Sequence, residues 1–432
     1  MSYHLLTLGC PKNVADSAQL ERLLQEAGHS AAPARSADLI IVNTCAFIDA
    51  AKEETINAVL KLALKKREGQ KLVVIGCLPQ LYGKELLAEV PEIDQVFGVE
   101  AWPKVAALAG AATGPRPAAG KREERVSAYL KIGDGCNARC SFCIIPRIKG
   151  RLHSLPPDEV VAEAKRLTAE EARELVLVAQ DSTAYGRDLG VEDGLALLLE
   201  RLARELPESS WLRLMYAYPG RLTERLLRTM AALPQVCRYL DIPLQHGSAP
   251  VLQRMRRPHD PLEMRWMLER VRETLPDVAL RTTLLVGFPG ETEDDFAALL
   301  SFVREVRFDH VGAFMFSPQG GTAAAKMDEQ VPERVKRRRY RELMEAAREG
   351  SLLRNREQVG REMTVLVESR PARAGDEQGV FVGRSYRDAP EVDGLVICKG
   401  TARPGEMKRV RVTGAMAYDL LAEPLNTPTR PD

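Results

Sequence analysis

Short apolar runs and amphipathic stretches alternate over the first 110 residues. "YHLLTLGC" precedes a helical pattern over about 15–27, "ADLIIVNTC" precedes "DAAKEETINAVLKLALKK", and "KLVVIGC" precedes "LPQLYGKELLAE". Continuous apolar runs followed by helical periodicity predict strands buried on both faces of a doubly wound, parallel α/β sheet. Cys10, Cys45 and Cys77 each stand at the C-terminal end of one of these runs. In an open parallel sheet the carboxyl ends of the strands line the binding crevice. Three cysteines far apart in sequence are thereby candidates to converge.

A Gly/Pro/Ala-rich stretch, "AGAATGPRPAAGKREERVSA", has linker composition. It divides an α/β domain over 1–110 and a linker over 111–125 from a region over 126–358 in which the alternation resumes. Candidate strands there are "AYLKIGDG", "ELVLVAQD", "LRLMYAYP", "YLDIPLQ", "ALRTTLLVGF" and "HVGAFMFSP", separated by amphipathic helices. Six strand-helix units predict a partial (β/α)6 barrel with its active face at the strand C-termini. The helix "PERVKRRRYRELMEAAREGSLLRNREQ" closes this region, and its run Lys336 to Arg339 reads as a solvated face. Glycine-punctuated short strands over 359–425 predict a small antiparallel β-barrel. Residues 426–432 read as a tail.

Composition narrows the function classes. Lys+Arg 61 against Asp+Glu 60 gives a net charge of +1, which argues against a chain built around a nucleic-acid footprint. The N-terminus lacks a basic region followed by an apolar run, and no stretch is apolar enough for a membrane span, so a cytoplasmic location is expected. In that reducing compartment the eight cysteines are read as ligands, reactive thiols or packed residues, and not as disulfides.

The segment "GDGCNARCSFCIIP" carries Cys136, Cys140 and Cys143. Structural zinc requires four closed ligands, and the nearest further candidate, His153, stands at no recognised zinc spacing. Bacterial ferredoxins use a tighter run of four cysteines. Three thiolates on a four-iron, four-sulfur (4Fe–4S) cluster leave one iron open to a small molecule. The CxxxCxxC pattern after the first strand of a six-unit parallel barrel resembles the radical S-adenosylmethionine (SAM) superfamily. That resemblance implies that the open iron chelates SAM and that one electron cleaves SAM to a 5'-deoxyadenosyl radical. It further implies SAM contacts from Gln180 and Asp181 after the second strand and from the loop "LLVGFPGET" with Gly287 and Glu291, while Gln245 and His246, at the end of the fourth strand, are candidates to face the same cavity, Gln245 as a further SAM contact. Without the resemblance, Gly287 and Gly290 suit a turn after a buried strand, and Glu291 suits the first turn of a helix.

With the N-terminal trio and the final barrel included, the whole chain resembles the methylthiotransferases. "LGCPKN", "NTCAFI", "IGCLPQ", "CSFCIIP", "VAQDSTAYG", "IPLQHGS" and "GRSYRDAPEVDG" look like the branch acting on small-subunit ribosomal protein twelve, the RimO type. The resemblance implies transfer of a methylthio group to the β-carbon of an aspartate of that protein. It implies two 4Fe–4S clusters, one on Cys136, Cys140 and Cys143 that cleaves SAM, and one on Cys10, Cys45 and Cys77 that carries the sulfur. The last barrel would be a TRAM domain, and the partners would be the ribosomal protein, free or in the ribosome, an electron-donor protein and a donor of sulfide or sulfur. A monomer is the default. The alternatives are a tRNA adenosine (MiaB-type) methylthiotransferase and a non-catalytic, metal-stabilised ribosome-binding factor. Ala18 and Gly320 depart from the family pattern, and Cys237 and Cys398, without partners at ligand spacing, read as packed residues.

Overall fold

The computed structural model describes residues 1–110, 126–257, 260–369 and 379–425; the expected linker 111–125 and tail 426–432 lie outside them. The chain forms two compact units. One combines the N-terminal residues with Asp134–His153 and Ser317–Ala325, and the other holds most of the remaining chain.

The first unit is built on a parallel sheet of β1 (Ser2–Thr7), β2 (Ser30–Ala31), β3 (Leu39–Thr44), β4 (Lys71–Gly76) and β5 (Gln95–Phe97), in the order β2-β1-β3-β4-β5. The helices are α1 (Pro11–Glu26), α2 (Asp49–Ala63), α3 (Cys77–Glu89) and α4 (Trp102–Ala109). Alternate side chains of one strand face opposite sides of a sheet. Leu39 and Ile41 therefore pack with Leu20, Leu24, Trp102 and Val105 on one side, while Ile40 and Val42 pack with Val59, Leu78 and Leu86 on the other. This is the doubly wound arrangement the continuous apolar runs predict. The helix expected from about residue 15 begins at Pro11, since proline at the first helical position lacks only an N–H that would be unpaired there.

In the second unit, β6 (Ser127–Lys131) pairs in parallel with Glu174–Val178, which pairs with Trp211–Leu214; Tyr239–Asp241, Ala279–Val286 and His310–Met315 form a second parallel triplet. Leucines at alternate strand positions, Leu175, Leu177, Leu212, Leu214, Leu240 and Leu280, pack against the surrounding helices. The intervening positions carry Glu174, Arg213, Tyr239 and Arg281, with His310 opening the last strand. All five are buried or nearly so.

Their partners come from the end of the chain. A closed barrel is formed by Glu362–Ser369, Val380–Ser385, Val396–Lys399, Met407–Ala415 and Leu420–Pro424. It is antiparallel except where Val396–Lys399 runs parallel to Leu420–Pro424, a departure from the all-antiparallel expectation. The stretch after Ser385 lies on the inner face of the strands, with Ala389 packed among Val176, Val178, Met215 and Tyr239. Glu174 receives Arg213 Nε at 2.6 Å, Arg384 Nη2 at 2.6 Å and Ser127 Oγ at 2.7 Å. Arg213 Nη1 donates to the Tyr386 carbonyl at 2.7 Å. Asp393 receives the Tyr239 hydroxyl at 2.7 Å and Arg281 Nε at 3.2 Å, and Asp309 receives Arg387 Nη2 at 2.7 Å. His310 lies within 4 Å of Asp388 and Asp393.

The run Lys336 to Arg339 is not a uniformly solvated face. Lys336 and Arg339 point inward, where the Lys336 ammonium donates to the Phe316 carbonyl at 2.7 Å and Arg339 pairs with Glu291 at 3.0 Å. Helical spacing puts these two on the inner side and leaves Arg337 and Arg338 outside. Among the described residues no helix is long and apolar enough to cross a membrane.

Burial alone would push the Glu174 carboxyl up, but Arg213 and Arg384 outweigh it and hold it at about 2. Removing one partner of a buried ion group costs about 3–5 kcal/mol. Glu174→Gln is accordingly expected to lower the unfolding free energy read from urea melts by that order. Burial would push His310 down, and Asp393 and Asp388 lift it instead to about 9. A group whose folded-state pKa is raised stabilises fully below its unfolded value, 6.5, and ceases to do so as pH rises through the folded value. The thermal midpoint is expected to fall between pH 6.5 and about 9, by less in His310→Gln.

Candidate functional site: two cysteine trios

β1, β3 and β4 are neighbours in one parallel sheet, so the turns that leave their carboxyl ends lie side by side. Cys10 caps the start of α1, Cys45 directly follows β3, and Cys77 opens α3. Gly9 has φ +99°, and a Cβ there would lie 2.6 Å from Cys45 Cβ and 3.0 Å from its Sγ. Only glycine lets the first cysteine turn come this close to the second. Gly76 plays the same part before Cys77, with φ +96° and Asn43 Oδ1 2.6 Å from where a Cβ would be.

Buried polar side chains fix these turns to one another. Asn13 Nδ2 donates to the Leu8 and Thr44 carbonyls at 2.8 and 2.9 Å, and Asn43 Nδ2 to the Asn13 carbonyl and Ser17 Oγ at 3.0 and 2.9 Å. Thr44 Oγ1 receives the Leu78 amide at 3.2 Å, and Thr55 Oγ1 donates to the Cys45 carbonyl at 3.2 Å. Burial pushes Cys77 up to about 12, with Lys149 opposing and Cys45 and Cys10 adding to the rise. Cys45 is likewise raised by burial and by Cys10, against the Phe47 amide and Lys12.

Cys136, Cys140 and Cys143 are half-buried and belong to the same compact unit. Their loop closes on itself through the Cys136 amide on the Gly150 carbonyl at 3.2 Å and the Leu152 amide on Asn137 Oδ1 at 3.1 Å. Ile144 and Ile148, just beyond Cys143, pack in the apolar cluster that contains Ala46, Cys77 and Leu78. Both trios are therefore anchored on one core. Gly320 departs from the family pattern at a place where a Cβ would meet nothing within 4 Å, so no close approach requires glycine there.

In the second unit Gln180 follows the strand Glu174–Val178, and its Oε1 is buried with no hydrogen-bond partner, as is His246 Nε2. A buried polar atom without a partner is uncommon in a folded protein. Asp181 is engaged by Arg221 and by Thr183 Oγ1 at 2.7 Å. Gln245 holds φ +75°, a strained setting for a non-glycine residue and one that recurs at ligand sites. Gly287, at φ +73°, presents its amide to Glu291 Oε2 at 2.5 Å. Glu291 is raised to about 7 by burial against Arg339 and the Phe288 and Gly287 amides, so its carboxyl is committed to the turn itself. Burial drops His246 to about 3, so its 3.8 Å approach to Glu291 is not an ion pair. Cys237 and Cys398 are buried in apolar clusters apart from both trios.

Among the described residues no set of three or more Cys, His, Asp or Glu side chains is closed into metal-holding geometry. Each trio offers three thiols, with no further cysteine at ligand spacing.

The sequence profile of an uncharacterised protein family, UPF0004, matches residues 2–98, that of the radical SAM superfamily residues 130–303, and that of the TRAM domain residues 359–425. The ribosomal protein uS12 methylthiotransferase RimO of Chloroflexus aurantiacus is 45% identical over 99% of this chain and 100% of its own length. RimO of Geobacter sulfurreducens is 43% identical over 97% of each. The chain belongs to the RimO family of radical SAM methylthiotransferases. Membership makes it an enzyme, which removes the non-catalytic alternative, and implies one 4Fe–4S cluster and SAM. Two cobalamin-linked radical enzymes share the fold with this RimO family member: TsrM from Kitasatospora setae (TM-score 0.53, 15% identity, 73% of this chain and 74% of that one) and OxsB (TM-score 0.51, 11% identity, 80% and 56%).

Gly9→Ala tests the close approach of the first two cysteine turns. Strain at positive φ together with overpacking is expected to destabilise the protein by about 1–3 kcal/mol. Urea melts and the iron retained after anaerobic reconstitution measure it, and wild-type values in both would show that the turns do not need glycine.

Proposed function

We propose that this protein transfers a methylthio group to the β-carbon of an aspartate in ribosomal protein uS12, acting as a cytoplasmic monomer. The observation that carries this reading is the presence of six cysteines, as two trios, in one compact unit of a chain of the RimO family. Cys136, Cys140 and Cys143 would hold the SAM-binding 4Fe–4S cluster, and Cys10, Cys45 and Cys77 a second. Loaded in this way, the site supplies a 5'-deoxyadenosyl radical and a methylated sulfur, with electrons and sulfur from external donors.

The chain's own residues supply placement. Gln180, with its unpartnered Oε1, and Gln245, with its strained backbone, are proposed to orient SAM at the carboxyl ends of the strands. Asp181 acts there through the guanidinium of Arg221, and Gly287 through a turn that Glu291 holds rigid. The first trio is fixed by Asn13, Asn43 and Thr44, and the second by Ile144 and Ile148. The two trios are thereby held within one compact unit, which would keep the groups they hold at a fixed separation.

The test uses anaerobically reconstituted protein with SAM, reductant and, separately, uS12 and a tRNA, read by mass spectrometry. A methylthio gain on an aspartate of uS12 is expected; gain on adenosine alone would move the protein to the tRNA branch. Cys140→Ala is expected to abolish both formation of 5'-deoxyadenosine and modification. Cys77→Ala is expected to abolish modification while 5'-deoxyadenosine is still formed; loss of both products in that variant would remove the division of labour.

A further inference from the structure

The helix Glu333–Arg356 opens with six Lys or Arg and one Glu in its first nine residues, Glu333 to Arg341. Two of the six point inward, where Lys336 meets the Phe316 carbonyl and Arg339 meets Glu291 and Glu293. The other four, Arg334, Arg337, Arg338 and Arg341, are exposed. Steps of three, four and seven residues set these four on one face of the helix, with Arg334 and Arg341 about 10.5 Å apart along its axis.

The stripe is incompletely neutralised. Glu333 is taken by Arg337 at 3.0 Å, and Glu293 is shared between Arg338 at 2.6 Å and Arg339 at 2.8 Å. Glu342 lies 3.7 Å from Arg338. Among the described residues Arg334 and Arg341 have no ion-pair partner, although Arg341 Nε donates to the Arg337 carbonyl at 3.4 Å. Helix stability does not account for this arrangement, because like charges three and four residues apart repel and a cation in the first turn opposes the helix dipole. Packing does not account for it either, since all four side chains face water. A row of phosphates would relieve the repulsion, and the planar guanidinium fork matches phosphate oxygens in pairs. The whole chain has a net charge of +1, so attraction for a polyanion has to come from a local patch.

We propose that Arg334, Arg337, Arg338 and Arg341 form a docking stripe for phosphates of the RNA in the small ribosomal subunit, so that the enzyme engages uS12 in its assembled setting. The inference rests on the reading that uS12 is the substrate. Charge complementarity selects RNA as the occupant, since its backbone repeats anions at regular intervals and its duplexes are recognised mostly by shape and phosphate contacts. Contacts of this kind orient the protein on the particle and leave base sequence unread.

The test measures binding of the full-length protein to purified small ribosomal subunits and to tRNA, between about 50 and 200 mM potassium chloride. Each phosphate contact contributes a little under one unit to the slope of log K against log salt. Arg334→Ala combined with Arg341→Ala is expected to weaken subunit binding about tenfold and to flatten the slope by about 1.5. In turnover the same variant is expected to raise KM for subunits about tenfold at the wild-type kcat. Arg334→Lys with Arg341→Lys, which keeps the charges, should retain most of the slope. Alanine is a strong helix former and both positions are exposed, so the variants fold. Arg228→Ala with Arg270→Ala removes the same charge from two other exposed positions, 73% and 67% accessible, and is expected to leave affinity and slope as in wild type. An unaltered slope in the stripe variant, an equal loss in this control, or tRNA binding as tight as subunit binding would each overturn the proposal. Mass spectrometry of the subunits keeps the two readings apart. Wild-type protein that adds no methylthio group to uS12, in subunits or isolated, would remove the substrate reading and this inference with it. Modification of subunits by the stripe variant at the wild-type kcat/KM would remove the inference alone.

Discussion

The second unit depends on the Glu174 carboxylate shared by Arg213 and Arg384. An incomplete barrel has an inner face that its helices cannot cover, and here that face carries charge at alternate strand positions. Each ion taken out of water is penalised by several kcal/mol unless its partners are well placed. The stretch from Ser385 to Asp393 provides them as carbonyls and carboxylates aimed at Arg213, Arg281, Tyr239 and His310. The small terminal barrel is thereby built into the inner wall of the larger one. The network engages Glu174, Tyr239 and His310 at the starts of their strands and Arg213 and Arg281 within theirs, whereas Gln180, Asp181 and Gln245 follow the opposite ends.

The first unit divides its labour in a similar way along its sheet. Leu39 to Val42 are apolar and packed on both faces, and the next two residues, Asn43 and Thr44, are equally buried but polar. Their hydrogen bonds hold the cysteine turns, so rigidity passes from the core to the thiols without an intervening mobile loop. The second trio borrows the same rigidity. Its loop follows a strand of the barrel in sequence, yet Ile144 and Ile148 bury themselves on the sheet of the first unit.

Much of this was legible in the sequence. Continuous apolar runs gave the parallel strands, because a strand covered on both faces has no polar side. The cysteines at their ends were legible because strand direction in a parallel sheet fixes which edge they reach. The short strands Ser30–Ala31 and Gln95–Phe97 were not, since two or three residues carry no periodicity. Lys336 to Arg339 misled because net charge was read without phase: at helical spacing two of the four turn inward, where Glu291 and carbonyls await them. The charged positions of "ELVLV", "WLRL" and "ALRTTLLV" alternate with leucines, and that alternation marks an inner face lined with ions. "GRSYRDAPEVDG" served as a family signature, and its chemistry as a set of partners for those ions emerged only when the strands were assembled. Lys149 has no motif at all, because one of its two aspartate partners, Asp16, lies 133 positions away in sequence.

The remoteness of Asp16 bears on how the two cysteine-bearing segments are kept in register. An apolar contact such as Ile148 against Leu78 tolerates small sliding, because dispersion falls off gently and has no preferred direction. An ammonium between two buried carboxylates does not, since displacing it leaves a charge desolvated and unmatched. The apolar cluster brings the second segment onto the first sheet, and the Asp16–Lys149–Asp134 triad fixes where along it the segment comes to rest. One lysine, paired with a carboxylate on each of the two segments, thus ties them together at a defined place.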